Sequence, residues 1–158
     1  MAQQSVSFPF KSSSATALHA SALGAQLRPG DCVLLEGAVG AGKTHFARHL
    51  IQSVLIEPED VPSPTFTLVQ IYETRHGPVW HADLYRLSST YEIEELGLTE
   101  AFETAICLVE WPDRLGDLAP DEALSLRFSS GANENSRELR ATWSDPRWPD
   151  RLSAWRPQ

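Results

Sequence analysis

Between positions 33 and 46 the chain reads VLLEGAVGAGKTHF. Within it Gly37, Gly42, Lys43 and Thr44 stand at the spacing G-x-x-x-x-G-K-[ST]. Each residue type has a physical reason to be where it is. Glycines let main-chain N–H groups curve around an anion with no Cβ in the way. A helix opening at Lys43 adds unsatisfied donors and a partial positive charge. The lysine ammonium can reach β- and γ-phosphates, and the threonine hydroxyl can ligate Mg²⁺. An apolar run precedes the loop and an amphipathic stretch follows it, which is the strand–loop–helix context the motif needs. Lys43 is also one of only two lysines in the chain. The chemistry is that of a nucleotide phosphate site.

A magnesium site of this kind needs an acid at the end of a buried strand. Two segments supply one: VWHADLY, with Asp83, and ICLVEWP, with Glu110. Thr65, in VPSPTFTLV, lies on a Pro-rich connection of the kind that contacts a γ-phosphate. Guanine specificity usually rests on an Asn-Lys-x-Asp segment. The only asparagines here are Asn133 and Asn135, and neither precedes a lysine, so ATP is favoured. A small-metabolite kinase needs a second pocket and an arginine-bearing lid, and no segment obviously supplies both. A nucleotide-gated binding module that does not need hydrolysis is the other alternative.

The ordered set GAVGAGKTHF, SPTFTLVQIYE, HADLYRL, EELGL and ICLVEWPDRLG resembles the TsaE (YjeE) family of bacterial ATPases over about residues 10–120. That resemblance implies an accessory role in threonylcarbamoylation of adenosine 37 in tRNAs that read ANN codons. The partners it implies are TsaD and TsaB, acting after a TsaC-type enzyme has made threonylcarbamoyl-AMP. It assigns Gly37 through Thr44 to the phosphates of ATP, with Val39, Gly40, Ala41, Gly42 and Lys43 in the cradle and His45 beside it. Thr44 and Glu110 become the Mg²⁺-associated pair. Asp83 supports hydrolysis by orienting water, Thr65 senses the γ-phosphate, and Lys43 completes the catalytic set. Ser13 and Thr16 match the segment near the nucleotide base, and Trp111 stands beside Glu110. The chain departs from the family pattern at Ala38-Val39, where Asp-Leu is usual, so a polar contact at position 38 is lost. Arg86 is a candidate for neutralising charge in cis, and completion of the site by a partner is the expected route to fast hydrolysis.

These residues must be positioned by an α/β domain, a P-loop NTPase-like sheet flanked by helices with antiparallel strand additions, occupying residues 1–158 as one unit. Ser5–Phe10 reads as a short strand. Ser12, Ser13 and Ser14 offer caps for a helix with Leu18, Ala22 and Ala25 on one face, stopped by Pro29-Gly30. Cys32–Leu35 and Ala105–Val109 read as buried strands. The helix from Lys43 carries Phe46, Leu50, Ile51 and Val54 toward a core. Phe66–Tyr72 and Val79–Leu84 form a hairpin-like pair, and Ala123–Phe128 with Arg137–Trp143 a second one. Ser89-x-x-Glu92 is a capping box, Thr99 a cap for the next helix, and Pro112 opens a helical turn. Trp148, Leu152 and Trp155 make a stripe at the C-terminus.

The bulk composition narrows the partners. The chain has 158 residues, 13 basic against 21 acidic, for a formal net charge of −8. Nucleic-acid affinity rests largely on neutralising phosphates with Lys and Arg, so tRNA is expected to be met through the complex rather than gripped alone. The two cysteines show no metal or disulfide spacing. No run approaches the roughly 18 apolar residues needed to cross a bilayer. The expectation is a cytoplasmic protein. His45 and His49 stand four apart on the helix after the loop but lack the glutamate of H-E-x-x-H, so they read as a solvated face.

Overall fold

The computed structural model describes residues 2–38 and 40–155. Strand β2 (Cys32–Glu36) and strand β5 (Ile106–Glu110) are apolar almost throughout, as strands covered on both faces must be. They pair in parallel, with Cys32 opposite Cys107 and Leu35 opposite Glu110. Strand β4 (Gly77–Asp83) pairs in parallel with β5 on its other side, bringing Asp83 opposite Glu110. Three parallel strands therefore end together, and the Gly-rich loop leaves from the end of β2. In open α/β sheets that carboxyl edge is where ligands bind.

The flanking strands are antiparallel additions. Strand β3 (Val69–Thr74) pairs with β4. Strand β6 (Leu124–Ser130) lies parallel to β2 and antiparallel to β7 (Arg137–Trp143), which in turn pairs with β1 (Gln4–Phe10). All seven strands form one sheet in the order β1-β7-β6-β2-β5-β4-β3. The C-terminal hairpin is thus stitched into the sheet beside the loop-bearing strand.

Helix α1 (Ser13–Gly24) and helix α2 (Lys43–Val54) pack on one face over Val33, Leu35, Val79, Ile106 and Leu108. Helix α3 (Thr90–Glu95), helix α4 (Leu98–Thr104) and a 3₁₀ segment (Pro112–Leu118) cover the other face over Leu34, Ala82, Cys107 and Val109. Helix α5 (Trp148–Arg151) and the residues after it bring the tryptophans home. Trp155 sets its edge against Phe8 and Phe10 at 5.1 and 5.2 Å between ring centroids. Its indole N–H donates to the His19 carbonyl at 2.9 Å, and that of Trp148 to the Glu122 carbonyl at 2.7 Å. Both aromatic payloads are buried with their one polar atom satisfied.

Some local expectations shift. The buried face of α1 is Thr16, Ala20, Leu23 and Gly24, and Leu18 is 72% exposed. Apolar spacing alone misplaced that face because small residues and a threonine do the packing against α2. Strand β3 begins at Val69, since Thr65 to Thr67 turn and leave Phe66 exposed. Helix α4 is entered through Gly97 at φ 84°, which leaves Thr99 inside the helix rather than capping it. Ser89 does cap α3, accepting from the Glu92 N–H at 3.4 Å, while the Glu92 carboxylate reaches back to Ser88 at 3.3 Å. Among the described residues, no helix is long and apolar enough to cross a membrane.

The carboxylate of Asp31 is 1% exposed and latches the C-terminus to the sheet. It pairs with Arg147 at 3.1 Å and Arg151 at 2.6 Å, and accepts the Arg28 N–H at 2.8 Å. Removing one partner of a buried ionic network strands the others. Asp31→Ala is expected to cost about 3 kcal/mol in urea unfolding. Arg127→Ala, which breaks the exposed 3.8 Å pair with Glu36, is expected to change stability by under about 0.5 kcal/mol.

Candidate functional site

The loop that leaves β2 is shaped by glycine where nothing larger fits. A Cβ on Gly37 would meet the Phe128 carbonyl oxygen at 2.8 Å, and its φ of 141° lies in the left-handed half of the map. Gly42, at φ 110°, is the residue before α2 and caps it with no side chain. The first-turn N–H groups of α2 therefore have no capping side chain in front of them. Val39, one of the residues expected at the phosphates, lies outside the described residues.

Lys43 is buried at 5% exposure. Its ammonium donates to the Gly37 carbonyl and, at 3.1 Å, to that of Ala38. It also sits 4.0 Å from the centre of the Trp111 ring, a cation–π contact. Burial pushes its pKa below the ordinary lysine range, while the Glu110 and Asp83 carboxylates pull it back up. Trp111 reaches that position from a left-handed backbone, φ 60°, at the bend where β5 gives way to the 3₁₀ segment. Positive φ in a bulky residue is uncommon and marks a bend held by its surroundings.

The two candidate acids stand side by side at the strand ends. Thr44 Oγ1 donates to Glu110 Oε1 at 2.8 Å, and His81 Nε2 lies 2.7 Å from Glu110 Oε2. Thr65 Oγ1 donates to Asp83 Oδ2 at 3.2 Å and lies 2.7 Å from Ser63 Oγ, and the Tyr85 N–H donates to Asp83 Oδ1 at 3.0 Å. So Thr65, eighteen residues away in sequence, lies against Asp83, a contact its position on the Pro-rich connection did not foretell. On the far side, His45 Nε2 approaches the Ser13 carbonyl at 3.4 Å, and Thr16 is buried with its hydroxyl on the Ser12 carbonyl at 3.1 Å.

One cavity of about 600 Å³ joins these groups. Ser13, Thr16, Gly40, Gly42, Lys43, Thr44, His45, Thr65, Asp83, Glu110 and Trp111 all line it. Gly37 and Ala41 shape the loop behind it without lining it. Arg86 does not line it either: it lies over the Phe66 ring at 5.4 Å and donates to the Thr65 carbonyl at 3.5 Å. Four lining residues escaped sequence reasoning: Ser63, Tyr85, Asn135 and Arg137. Arg137 comes from β7, and its Nε donates to the Ala41 carbonyl at 2.8 Å. No motif marks an arginine 96 and 97 positions beyond the loop residues it contacts, and only the pairing of β6 with β2 brings it there. His45 and His49 lie 4.5 Å apart between ring centroids, and no group of three or more His, Cys, Asp or Glu side chains among the described residues is placed to hold a metal unaided.

Comparison with known proteins shows the family and the fold. The family model described as threonylcarbamoyl adenosine biosynthesis protein TsaE matches residues 10–139. A tRNA threonylcarbamoyladenosine biosynthesis protein TsaE of Treponema pallidum is 34% identical over 82% of this chain and 94% of its own. The protein of that name from Rickettsia bellii is 44% identical over 69% of this chain and 76% of its own. Among solved structures, the crystal structure of Bacillus subtilis YdiB superposes with a TM-score of 0.76 at 27% identity, covering 97% of both chains. The chain belongs to the TsaE family of tRNA threonylcarbamoyladenosine biosynthesis proteins.

Proposed function

We propose that this protein is a magnesium-dependent ATPase that serves the threonylcarbamoylation of adenosine 37 in tRNAs reading ANN codons, in complex with TsaD and TsaB. The observation that carries the reading is the convergence of Lys43, Thr44, Glu110 and Asp83 at the mouth of α2, in one cavity with Ser13 and Thr16.

The residues present fit the nucleotide and its ion. Mg²⁺ is usually bound through one or two protein oxygens plus phosphates and waters rather than in an all-protein cage. Thr44 Oγ1 and Glu110 Oε1, 2.8 Å apart at the phosphate loop, are such hard oxygen donors. Bound MgATP supplies a γ-phosphoryl group activated toward water, and the metal neutralises its charge. The chain supplies the rest. The loop amides and Lys43 hold the phosphates, with Lys43 giving up the Gly37 and Ala38 carbonyls for phosphate oxygens. Asp83 is the group that orients a water, and Thr65 is its gate. Arg137 grips the loop from the tail and adds positive charge on the side of Gly40 and Ala41.

The same contacts lead to an expectation of slow turnover by the chain alone. Both Asp83 oxygens are engaged, one by Thr65 and one by the Tyr85 N–H. Arg86 is occupied with Phe66 and the Thr65 carbonyl, outside the cavity. Phe66 itself is 84% exposed, next to the gate. A partner that covers Phe66 displaces the loop carrying Thr65, frees Asp83 and leaves Arg86 to turn inward. Hydrolysis is thereby tied to assembly.

Lys43→Ala is expected to weaken MgATP binding by about 30- to 100-fold in calorimetry, the worth of a charge-assisted contact of about 2–3 kcal/mol. Wild-type protein that takes up no nucleotide at near-millimolar MgATP would overturn the proposal. Asp83→Ala is expected to bind ATP within about threefold of wild type while hydrolysis falls by at least about 10²-fold. Adding purified TsaD and TsaB should raise the ATPase rate of the wild type by at least about tenfold, and equal rates with and without them would refute partner completion. In a reconstituted reaction, omitting the protein or supplying Lys43→Ala should abolish sustained tRNA modification.

A further inference from the structure

We propose that His81 is a positioning residue that sets the rotamer of Glu110, and so the strength with which the Thr44–Glu110 pair holds Mg²⁺. The inference deepens the magnesium reading of that pair and rests on it.

Sheet register makes the contact. His81 stands opposite Leu108 and Asp83 opposite Glu110 on the neighbouring parallel strand. Side chains two apart on a strand share a face, so His81, Asp83, Leu108 and Glu110 all face α2. Glu110 is then the diagonal neighbour of His81, within reach of a long side chain. The imidazole Nε2 lies 2.7 Å from Glu110 Oε2, with the two side chains 0% and 2% exposed. An ionised carboxylate only accepts, so Nε2 carries the proton.

No other contact explains a histidine there. The Nδ1 atom is buried and has no hydrogen-bond partner among the described residues. The ring serves no main-chain group through it, and its one polar contact is Glu110. A packing role alone is better filled by an apolar side chain, like Val79 two residues earlier on the same face. The consequence lies on the other oxygen. With Oε2 pinned by His81, Oε1 has one direction left, toward Thr44 Oγ1 at 2.8 Å. Outer-shell partners of this kind orient a ligand, and their loss typically costs 10- to 100-fold in metal affinity.

The test is a titration of Mg²⁺ into metal-stripped full-length protein saturated with ADP, followed by calorimetry. His81→Leu is expected to raise the half-saturating Mg²⁺ concentration about tenfold and leave metal-free ADP affinity within about twofold. His81→Gln, which keeps an N–H donor near the Nε2 position, is expected to recover to within about threefold of wild type. An unchanged midpoint in His81→Leu, or a His81→Gln protein no better than His81→Leu, overturns the proposal. A second readout needs neither metal nor foldable histidine variants. Nitrogen-15 spectra of the wild-type imidazoles should show one slowly exchanging Nε2–H whose shift moves in Glu110→Ala. Absence of that protected proton also overturns the proposal. If wild-type ADP binding ignores Mg²⁺ while the protected proton is present, the magnesium reading fails and the His81–Glu110 contact stands as a structural one.

Discussion

A carboxylate at 2% exposure is expensive to bury, and Glu110 meets that cost by having both oxygens received. One oxygen takes the hydroxyl of Thr44, the second residue of α2, and the other faces the imidazole of His81 on β4. A single side chain on β5 thus ties the helix after the Gly-rich loop to the strand that carries Asp83. The lysine beside Thr44 is drawn toward the same negative charge, against the cost of its own burial. Remove Glu110 and three elements lose their common reference point.

Strand register makes this economy possible. Leu35, Glu110 and Asp83 stand level on β2, β5 and β4. The loop, Glu110 and Asp83 therefore emerge at one edge without any long excursion of the chain. Apolar layers on both faces keep the three strands from sliding. Slipping any one by a single residue would send its acid to the opposite face. The site is precise because the core beneath it is inflexible.

The periphery is built differently. The segment from Ser63 to Phe66 leans on Asp83 through one hydroxyl and on Arg86 through one long hydrogen bond and a ring contact. Such contacts are weak and partly exposed, as in segments of low local stability. By contrast the tail is firmly held. Asp31 latches α5, Trp155 fills the aromatic cluster, and Arg137 reaches the loop carbonyls from a strand central to the sheet's antiparallel half. The C-terminal third is structural support for the phosphate loop.

The strand–loop–helix and the chemistry proposed for it were legible without any structure. Gly37, Gly42, Lys43 and Thr44 act through their own backbone and a few bonds of side chain, and so local spacing carries their meaning. The two acids were legible too, because a buried parallel strand reads as a short apolar run and ends where an acid appears. The meeting of Thr65 with Asp83 needed the fold, and the pairings of Glu110 with Thr44 and His81 needed strand register. Arg137 and Asn135 were invisible. Their place depends on β6 joining β2 in parallel after a long separation in sequence, a choice made by the free energy of the whole sheet. The packing face of α1 was misjudged for a related reason: helix period alone does not tell which small residues α2 will cover. What the sequence determined was the family and the strand–loop–helix that carries the candidate site. What tertiary structure decided was which distant groups meet there, because contacts between strands and layers are settled by collective packing rather than by any local run of residues.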